Sequence, residues 1–305
     1  MRKPKAIYVE TFIKRDLDTV WAYTQEPDLH QQWDLRFSEI TYIPKDNPDS
    51  PQQFTYQTNI GFGLKIKGTG ESVGEHVKEN EKLSSLKFWA DHPLSLIDDG
   101  GGYWKYIEHD DGVKFLTQYN YQTKWGLFGK MIDLLFKPLM GWATAWSFDT
   151  LRLWLEKGIP PALSLSRSLI FLLSSFVLAF TWIYQGLVPK LLFQDSGELA
   201  LFMATGWFQG NESVIIYILG GAQVLVGFSF LFWSHRRWLH YLSITALLGL
   251  GIGSLIQTTP IYAAPFNPAT LTIAMVALSL IILLNRKDLP FASNCKRAKD
   301  GRGRG

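Results

Sequence analysis

The sequence has very little charge in its second half and contains a single cysteine. Its Asp, Glu, Lys and Arg residues number 41 in residues 1–158, 7 in residues 159–285 and 9 in the last twenty positions. The apolar residues of a stretch so poor in charge must be removed from contact with water, which excludes a purely soluble globular protein. The lone Cys295 excludes an intrachain disulfide framework and any multi-cysteine metal site.

The chain also lacks a cationic face that could follow a nucleic acid. The net charge of +3 divides into −3 for residues 1–158, +1 for residues 159–285 and +5 for residues 286–305. The basic character therefore comes from the tail, and we expect no nucleic-acid partner. Residues 1–10 include basic side chains with no apolar run behind them, so the sequence predicts no signal peptide before the first domain.

The spacings that define common catalytic and metal sites are missing too. None of the six histidines stands at the distance from another His, Asp or Glu that a zinc or di-iron motif requires. The Gly100–Gly102 run has neither the lysine nor the following helix of a phosphate-binding loop. The sequence therefore predicts no catalytic residues, no metal and no evident cofactor, with a quinone or a lipid left open as a ligand.

Four apolar runs in residues 159–285 are long enough to cross a membrane. A hydrocarbon layer of roughly 30 Å needs about 20 helical residues. Proline and amide residues within 257–268 divide the last uncharged stretch, because backbone groups freed from a helix are costly in lipid. The predicted spans are residues 169–188, 214–233, 238–256 and 269–284.

Lysine and arginine are distributed unevenly among the connections. They occur before the first span, at Arg236 and Arg237 in the second connection, and seven times in the basic tail, residues 286–305. The connection 189–213 has only Lys190, and the last connection has none. By the positive-inside rule both termini are expected in the cytoplasm.

Polar side chains are few within the spans, and none at mid-span is charged, which argues against an ion-coupled transporter. One interpretation is structural, with amides bonding between helices; the other is a functional role inside the membrane. The small residues Gly249, Gly251 and Gly253 predict a face for close helix packing. The candidates for an intramembrane polar role are Tyr184, Gln185, Gln223 and His240.

Three segments of this half resemble the signatures of the DoxX-like family of bacterial four-helix membrane proteins. They are TWIYQGLVPKLLF (181–193), LGGAQVLVG (219–227) and APFNP (264–268), and the resemblance covers about residues 167–284. It implies an all-α bundle of four transmembrane helices. The family commonly has a glutamate where this chain has Gln223, so no acid or proton role is carried over. Some relatives resemble subunits of quinone-linked redox complexes.

Residues 1–158 alternate like a half-buried antiparallel sheet with helices near its start and a long helix at its end. Asp16 or Asp18 is expected to cap a helix reaching Tyr23, and Pro27 to begin a helix ending at Trp33. The long helix is predicted over residues 128–156. The predicted strands are residues 7–13, 37–43, 53–60, 64–77, 83–90, 103–108 and 113–124.

This order of elements, with the block Val20–Asp34 before the second strand, resembles START/SRPBCC proteins of the helix-grip fold. The resemblance implies a sheet around the long helix, enclosing a cavity for an apolar ligand; an ordinary packed core is the alternative. The long helix also carries Trp142, Trp146 and Trp154 among basic residues, a mix typical of an interfacial helix. The candidate cavity residues are Trp33, Phe54, Tyr56, Phe62, Trp89, Trp104, Phe115, Tyr119 and Trp146.

The whole prediction is an α+β helix-grip domain over residues 1–158, a four-span bundle over 159–285 and a basic cytoplasmic tail over 286–305. The predicted function is binding or transfer of a hydrophobic small molecule at the inner membrane, with membrane lipids as partners. Two alternatives stay open. The chain could be a non-catalytic subunit of a quinone-linked redox complex, with a redox protein as partner, or a membrane scaffold.

Overall fold

The computed structural model describes residues 6–45, 47, 50–61, 63–194, 197–203, 206, 208–257 and 267–299, without the side chains of 201 and 252–257. Phe62 and most of the APFNP segment lie outside the described residues. The chain divides into two compact units, Met1–Leu165 with Pro290–Gly305, and Ser166–Leu289.

The first unit is built on an antiparallel sheet of seven strands in the order β1-β7-β6-β5-β4-β3-β2. Two short helices separate β1 from β2, and a long helix follows β7 and packs against β1 and β7. This is the predicted helix-grip layout, which is confirmed. The elements are β1 (Ile7–Ile13), α1 (Leu17–Gln25), α2 (Pro27–Trp33), β2 (Glu39–Tyr42), β3 (Gln53–Gly61), β4 (Leu64–Lys78), β5 (Glu81–Trp89), β6 (Ile97–His109), β7 (Gly112–Thr123) and α3 (Gly126–Lys157).

Local signals explain where the helices begin and end. Asp16 caps α1 through its Oδ1, which accepts a hydrogen bond from the backbone N–H of Thr19 at 2.8 Å. Pro27 occupies the first turn of α2, where its missing N–H has no helical partner to lose. Gly158 ends α3 with a φ of 66°, a left-handed conformation that glycine adopts without strain.

Strand β6 is longer than the sequence pattern predicts, starting at Ile97 and not at residue 103. The added residues include Gly100–Gly102, which have no side chains to show an alternation. Glycine is required there by close approach, since a Cβ on Gly102 would lie 2.4 Å from the Cβ of Tyr119 on β7. The three glycines therefore belong to the sheet and not to a loop.

The second half of α3 forms the core of this unit together with the inner face of the sheet. Phe148 is fully buried and stacks on Phe115 of β7 with ring centroids 4.3 Å apart. Trp33 and Tyr106 are buried in the same cluster. Burial of side chains this large stabilises a fold by roughly 1.5–3 kcal/mol each.

The C-terminal segment packs on the first unit, which corrects the prediction of a separate basic tail from residue 286. Lys296 and Glu10 of β1 exchange two backbone hydrogen bonds of 2.9 Å. The buried carboxylate of Asp149 accepts bonds from the Phe291 N–H at 2.9 Å and the Asn294 amide at 2.7 Å. Charge composition alone does not reveal this docking, because the C-terminal segment contributes backbone groups and an uncharged amide to these contacts.

The second unit is helical, and four of its helices share one apolar core. Leu178, Trp182, Phe230, Leu239 and Met275 are among the buried members of that core. The elements are α4 (Pro161–Gly186, from Ser166 in this unit), a π-helical turn (Leu187–Leu192), α5 (Glu198–Met203), α6 (Glu212–Trp233), α7 (Arg237–Gln257) and α8 (Pro268–Asn285).

Three helical segments in the described residues are long and apolar enough to cross a membrane: Pro161–Leu192, Glu212–Trp233 and Pro268–Asn285. The fourth predicted span, residues 238–256, lies within α7, whose side chains are described only as far as residue 251. All four predicted spans therefore correspond to helices, and three of them meet the length and hydropathy of a membrane span among the residues described.

Close helix packing occurs between α4 and α6. At the predicted glycine face of α7, a Cβ on Gly251 would lie 3.7 Å from Thr272 of α8, an ordinary van der Waals distance, and the surroundings of Gly253 lie outside the described residues. A Cβ on Gly227 would lie 2.6 Å from Ile183 Cγ1 and 2.8 Å from the Ala179 carbonyl oxygen. Gly249, in contrast, has open space beside it. Small residues show only that close approach is possible; the neighbouring helix decides where it happens.

Candidate functional site

The first unit contains a cavity of about 680 Å³. This volume lies in the range of small-molecule sites, which is roughly 300–1,000 Å³. Residues from α1, α2, all strands from β2 to β7, and the first half of α3 contribute to its wall. Aromatic and aliphatic side chains predominate, among them Phe37, Ile40, Phe54, Ile66, Leu86, Phe88, Trp104, Ile132, Phe136 and Met140.

Pairs of aromatic residues and glycines shape the sheet side of the cavity. Phe54 and Tyr56 point inward from β3, opposite Gly70 and Gly68 of β4. A Cβ on Gly68 would lie 2.3 Å from the Tyr56 ring, and one on Gly70 would lie 2.4 Å from the Phe54 ring. The rings therefore lie across the neighbouring strand, and the glycines leave the space that this requires.

The nine predicted cavity residues do not share one location. Phe54, Tyr56, Trp104 and Tyr119 line the cavity. Trp33, Phe115 and Trp146 do not line it and are buried in the core cluster, to which Trp104 and Tyr119 also belong. Trp89 is half-buried, and its carbonyl accepts a bond from the Tyr56 hydroxyl at 3.3 Å. Phe62 lies outside the described residues.

Inward-facing aromatic residues of one strand thus differ in their access to the cavity. Phe115 and Tyr119 lie on the same face of β7, and both belong to the core cluster and contact α3. Tyr119 in addition lines the cavity, whereas Phe115 does not. Strand periodicity identifies the inner face, and only the tertiary structure shows which residues of that face reach the cavity. As ligand contacts, all nine residues stay a prediction.

A buried polar cluster of His30, Asp34 and Arg36 is the main feature of the wall that the sequence interpretation missed. The Asp34 carboxylate has no exposed side-chain surface and accepts bonds from Arg36 Nε at 2.9 Å and Arg36 Nη2 at 2.6 Å. The His30 ring is 3.1 Å from the same carboxylate through Nε2. His30 and Arg36 both line the cavity.

Burial and pairing decide the charges in this cluster. Burial alone works against ionisation of Asp34, but the charge and hydrogen bonds of Arg36 outweigh it and hold the pKa of Asp34 well below its usual range. Burial likewise opposes the charge on Arg36, yet Asp34 raises the pKa of Arg36. Burial lowers the pKa of His30, although its bond to Asp34 opposes that shift. At neutral pH the cluster therefore holds an ion pair and an uncharged imidazole.

Nothing in composition separates these residues from surface charges at the end of a short helix. The available signal is their position, since Trp33 and Phe37 flank Asp34 and Arg36 and place them beside an aromatic core. His30 packs against Trp33, Phe37 and Trp104 with centroid distances of 5.0, 5.3 and 4.8 Å.

The first half of α3 is apolar on two sides. Ile132, Phe136 and Met140 line the cavity. The opposite side exposes large apolar side chains: Leu127, Phe128, Met131, Leu134, Leu135, Leu139 and Trp142. Of the three tryptophans predicted to face lipid headgroups, Trp142 is exposed, Trp154 is partly buried and Trp146 is buried in the core. That interpretation is therefore wrong for Trp146, because the second half of α3 is enclosed by the sheet.

The four intramembrane polar candidates lie apart in the second unit. Tyr184 is exposed on α4, while the Gln185 carbonyl accepts a bond from Lys190 at 3.2 Å. Gln223 lies beside Gly186. His240 is fully buried, with Nε2 2.7 Å from the Ser234 carbonyl. Across the described parts of this unit, no hydrogen bond joins two of these four side chains.

Lys190 is a further buried polar group of the second unit, although the sequence places it in an outer connection. Its ammonium donates to the Glu198 carboxylate at 2.7 Å. Lys190 is only 8% exposed. The π-helical turn continues α4 beyond the predicted end of the first span and carries Lys190 back against α6.

Metal-binding and thiol chemistry have little support in the described parts of the chain. No group of three or more His, Cys, Asp or Glu residues that could hold a metal ion is found among them. Cys295 is buried, and that burial raises the pKa of its thiol to about 12. A thiol with so high a pKa is a weak nucleophile at neutral pH.

Comparison with solved structures gives distant likenesses to the first unit. The STAR-related lipid transfer protein (fragment 25-204) from Xanthomonas axonopodis is 15% identical, over 49% of this chain and 85% of that one, with a TM-score of 0.36. A protein from Arthrobacter aurescens is 9% identical, over 51% and 88%, with a TM-score of 0.38. Because both scores are below 0.5, the helix-grip architecture rests on the strand order and the long helix of this chain.

Comparison with known sequences is more specific. The model of the DoxX-like family matches residues 179–280, which confirms the resemblance seen in the three membrane segments. The uncharacterized membrane protein YndG of Bacillus subtilis (strain 168) is 54% identical over 204 residues, which are 65% of this chain and 76% of YndG. The chain therefore belongs to the same family of membrane proteins as YndG, and it carries a DoxX-like segment in its second unit.

Proposed function

We propose that this membrane protein binds a lipophilic small molecule in its helix-grip unit and exchanges it with the bilayer. The observation that carries the proposal is the cavity of about 680 Å³, whose wall is largely aromatic and aliphatic. Apolar surface left facing an open cavity is unfavourable in water, and a lipophilic ligand would remove it from solvent. The alternatives of a redox-complex subunit and a scaffold have no comparable feature in the described residues.

The exposed side of α3 supports the bilayer as the source of the ligand. Seven large apolar side chains there face away from the cavity, while the same helical segment lines the cavity with Ile132, Phe136 and Met140. A contiguous exposed apolar patch is uncommon on a soluble surface and is typical of a membrane or partner contact. Only three residues separate Lys157, the last residue of α3, from Pro161, the first residue of the first apolar helix. A connection this short is consistent in length with a ligand drawn from the bilayer.

To test the cavity, we compare two tryptophan substitutions at adjacent positions of β5. Leu86 lines the cavity, whereas Lys87 is exposed on the other face of the strand. Full-length protein is purified from cells, extracted with organic solvent and analysed by mass spectrometry. Leu86→Trp fills part of the cavity, so we expect the ratio of bound lipophile to protein to fall about tenfold, equivalent to about 1.4 kcal/mol.

Lys87→Trp is the matched control and should retain the amount of ligand seen with the unchanged protein. Membranes lacking the protein give the background of co-extracted lipid. A compound profile indistinguishable from that background in the unchanged protein would refute a ligand-binding function.

We further propose four membrane crossings with both ends of the chain in the cytoplasm of a bacterial cell. The support is the docking of the C-terminal segment, because Lys296 pairs with β1 of the unit that precedes the first apolar helix. A chain that returns to the same side must cross an even number of times. This favours a crossing by α7 in addition to the three other apolar helices. The positive-inside distribution supports the cytoplasm as that side.

The topology can be tested by cysteine labelling in a Cys295→Ser background. Asn211 lies in the connection before α6, and Asp110 lies in the turn between β6 and β7; both are exposed. In intact protoplasts, a membrane-impermeant maleimide should label Asn211→Cys and should label Asp110→Cys only after permeabilisation. Labelling of Asp110→Cys but not of Asn211→Cys in intact protoplasts would show the opposite orientation. Equal labelling of the two cysteines would contradict a membrane crossing between these positions.

A further inference from the structure

The cavity wall is largely apolar, and the charged side chains that line it are Arg36, Lys45 and Glu75. The guanidinium of Arg36 lies in the buried polar cluster with Asp34 and His30. We propose that Arg36 is a head-group site that selects uncharged lipophiles bearing a carbonyl oxygen. This inference rests on the proposed function and narrows it to a class of ligand. Three observations support it. They are the N–H groups of Arg36 that its protein partners do not use, the partners of other polar side chains in the wall, and the charge of the cluster.

Arg36 has more donors than its protein partners use. A guanidinium carries five N–H groups in a fixed planar arrangement. The Asp34 carboxylate accepts one hydrogen bond from Arg36 Nε at 2.9 Å and one from Arg36 Nη2 at 2.6 Å. Tyr119 is a further partner of the guanidinium, and its hydroxyl also bonds Thr144 at 2.8 Å. Because Arg36 lines the cavity, the N–H groups beyond those partners are available to a ligand oxygen.

Other polar side chains in the wall already donate to the protein. Three threonines have backbone acceptors. Thr24 donates to the Val20 carbonyl at 2.9 Å, Thr58 to the Arg36 carbonyl at 2.6 Å and Thr117 to the Tyr103 carbonyl at 3.1 Å. Their hydroxyl protons are therefore used within the fold. Arg36, in contrast, is a charged donor in the wall with more N–H groups than Asp34 accepts from.

The charge of the cluster decides which kind of ligand oxygen can accept a hydrogen bond from Arg36. Asp34 already neutralises Arg36, and His30 is uncharged at neutral pH, so the cluster has no net charge. The two other charged residues of the wall, Lys45 and Glu75, are opposite in sign. An ionised carboxylate would therefore add a net negative charge to a low-dielectric cavity, which is strongly unfavourable. A carbonyl adds no net charge and can accept a charge-assisted hydrogen bond. A hydrocarbon would leave the buried donors unsatisfied.

The experiment compares three probes of similar length: tridecan-2-one, tridecane and dodecanoate. Binding to full-length protein in nanodiscs is measured by tryptophan fluorescence, since Trp104 and Trp125 line the cavity. Empty nanodiscs correct for partition into lipid. We expect the ketone to bind at least about tenfold more tightly than tridecane, equivalent to about 1.4 kcal/mol, and also more tightly than dodecanoate.

A paired substitution, Asp34→Leu with Arg36→Met, removes both charges together, because removing one alone leaves the other buried and unpaired. We expect this variant to bind ketone and hydrocarbon about equally. Phe54→Leu is the control, which alters the apolar wall and should weaken both ligands by the same factor. As a measurement independent of folding in the variants, the infrared carbonyl frequency of the ketone should fall on binding to the unchanged protein.

The outcomes separate this inference from the proposed function. Equal affinity for ketone and tridecane, or an unshifted carbonyl frequency, would overturn the role of Arg36 while leaving a lipophile site in place. Tightest binding of dodecanoate would overturn the selection for uncharged ligands. Failure of all three probes to bind would count against both proposals, and the mass-spectrometric comparison of Leu86→Trp and Lys87→Trp would then decide the proposed function on its own.

Discussion

Asp149→Ala should unfold the first unit at a markedly lower temperature and release the C-terminal segment. Asp149 is fully buried and accepts bonds from Arg152 Nε at 2.8 Å, from the Phe291 N–H and from the Asn294 amide. Removing one partner of a buried ion pair costs about 3–5 kcal/mol. For a unit of this size that corresponds to a fall in Tm of roughly 10 °C, measured by tryptophan fluorescence of the purified protein.

Cys295 provides a second readout of the same change. In the unchanged protein its thiol is buried with a pKa raised to about 12, so very little thiolate is present at pH near 7. Its Sγ also lies 3.2 Å from the carbonyl oxygen of Ala145 in α3. This contact exists only while the C-terminal segment is docked on the first unit. We expect slow reaction with maleimide in the unchanged protein and fast reaction in Asp149→Ala.

Asp18→Ala is the matched control, because it deletes the same side chain from an exposed pair. Asp18 is 90% exposed on the side chain and binds Lys82 at 2.6 Å. Exposed pairs contribute about 0–1 kcal/mol, so the Tm and the reactivity of Cys295 should be nearly unchanged. If Asp149→Ala behaved like Asp18→Ala, the C-terminal segment would not be held by this carboxylate, and the support for an even number of crossings would be lost.

Gly227→Ala should destabilise the second unit by forcing α4 and α6 apart. The added methyl would lie 2.6 Å from Ile183 Cγ1, 2.8 Å from the Ile183 backbone nitrogen and 2.8 Å from the Ala179 carbonyl oxygen. Two of these atoms are backbone, so a rotamer change cannot relieve the contact. Overpacking of this kind costs about 1–3 kcal/mol. The measurement is the temperature at which the monodisperse peak is lost in detergent.

Gly221→Ala on the same helix separates packing from helix propensity. Nothing lies within 4 Å of the position that its Cβ would take. Alanine favours a helix over glycine by up to about 1 kcal/mol, so this variant should be neutral or slightly more stable. A similar loss of stability in both variants would mean that α4 and α6 do not approach closely at Gly227.

Much of the architecture follows from patterns that a single chain carries. Alternation along residues 113–123 predicts β7 and its inner face, and burial of Val113, Phe115, Tyr119 and Tyr121 confirms that face. The Asp16 cap and the Pro27 start of α2 are local effects of one side chain on the next turn. The membrane helices are visible because the absence of charge over about 20 residues has one physical explanation.

The candidate site is much less predictable. Trp33 and Trp104 are both aromatic and both buried in the core cluster, yet of these two only Trp104 also lines the cavity. His30, Asp34 and Arg36 give no pattern in the sequence, since their meaning depends on burial. The predicted β6 begins at residue 103, whereas the strand begins at Ile97. The difference has a similar cause, because glycine has no side chain whose alternation could be observed.

Sequence alone determined the two unlike halves, the element order of the first and the apolar helices of the second, because periodicity and charge are properties of neighbouring residues. Tertiary structure decided where the cavity lies, which charges line it, where α4 and α6 touch, and that residues 290–296 return to the first unit. These depend on contacts between residues distant along the chain, such as Asp149 with Asn294. No local pattern encodes which distant surface a side chain meets.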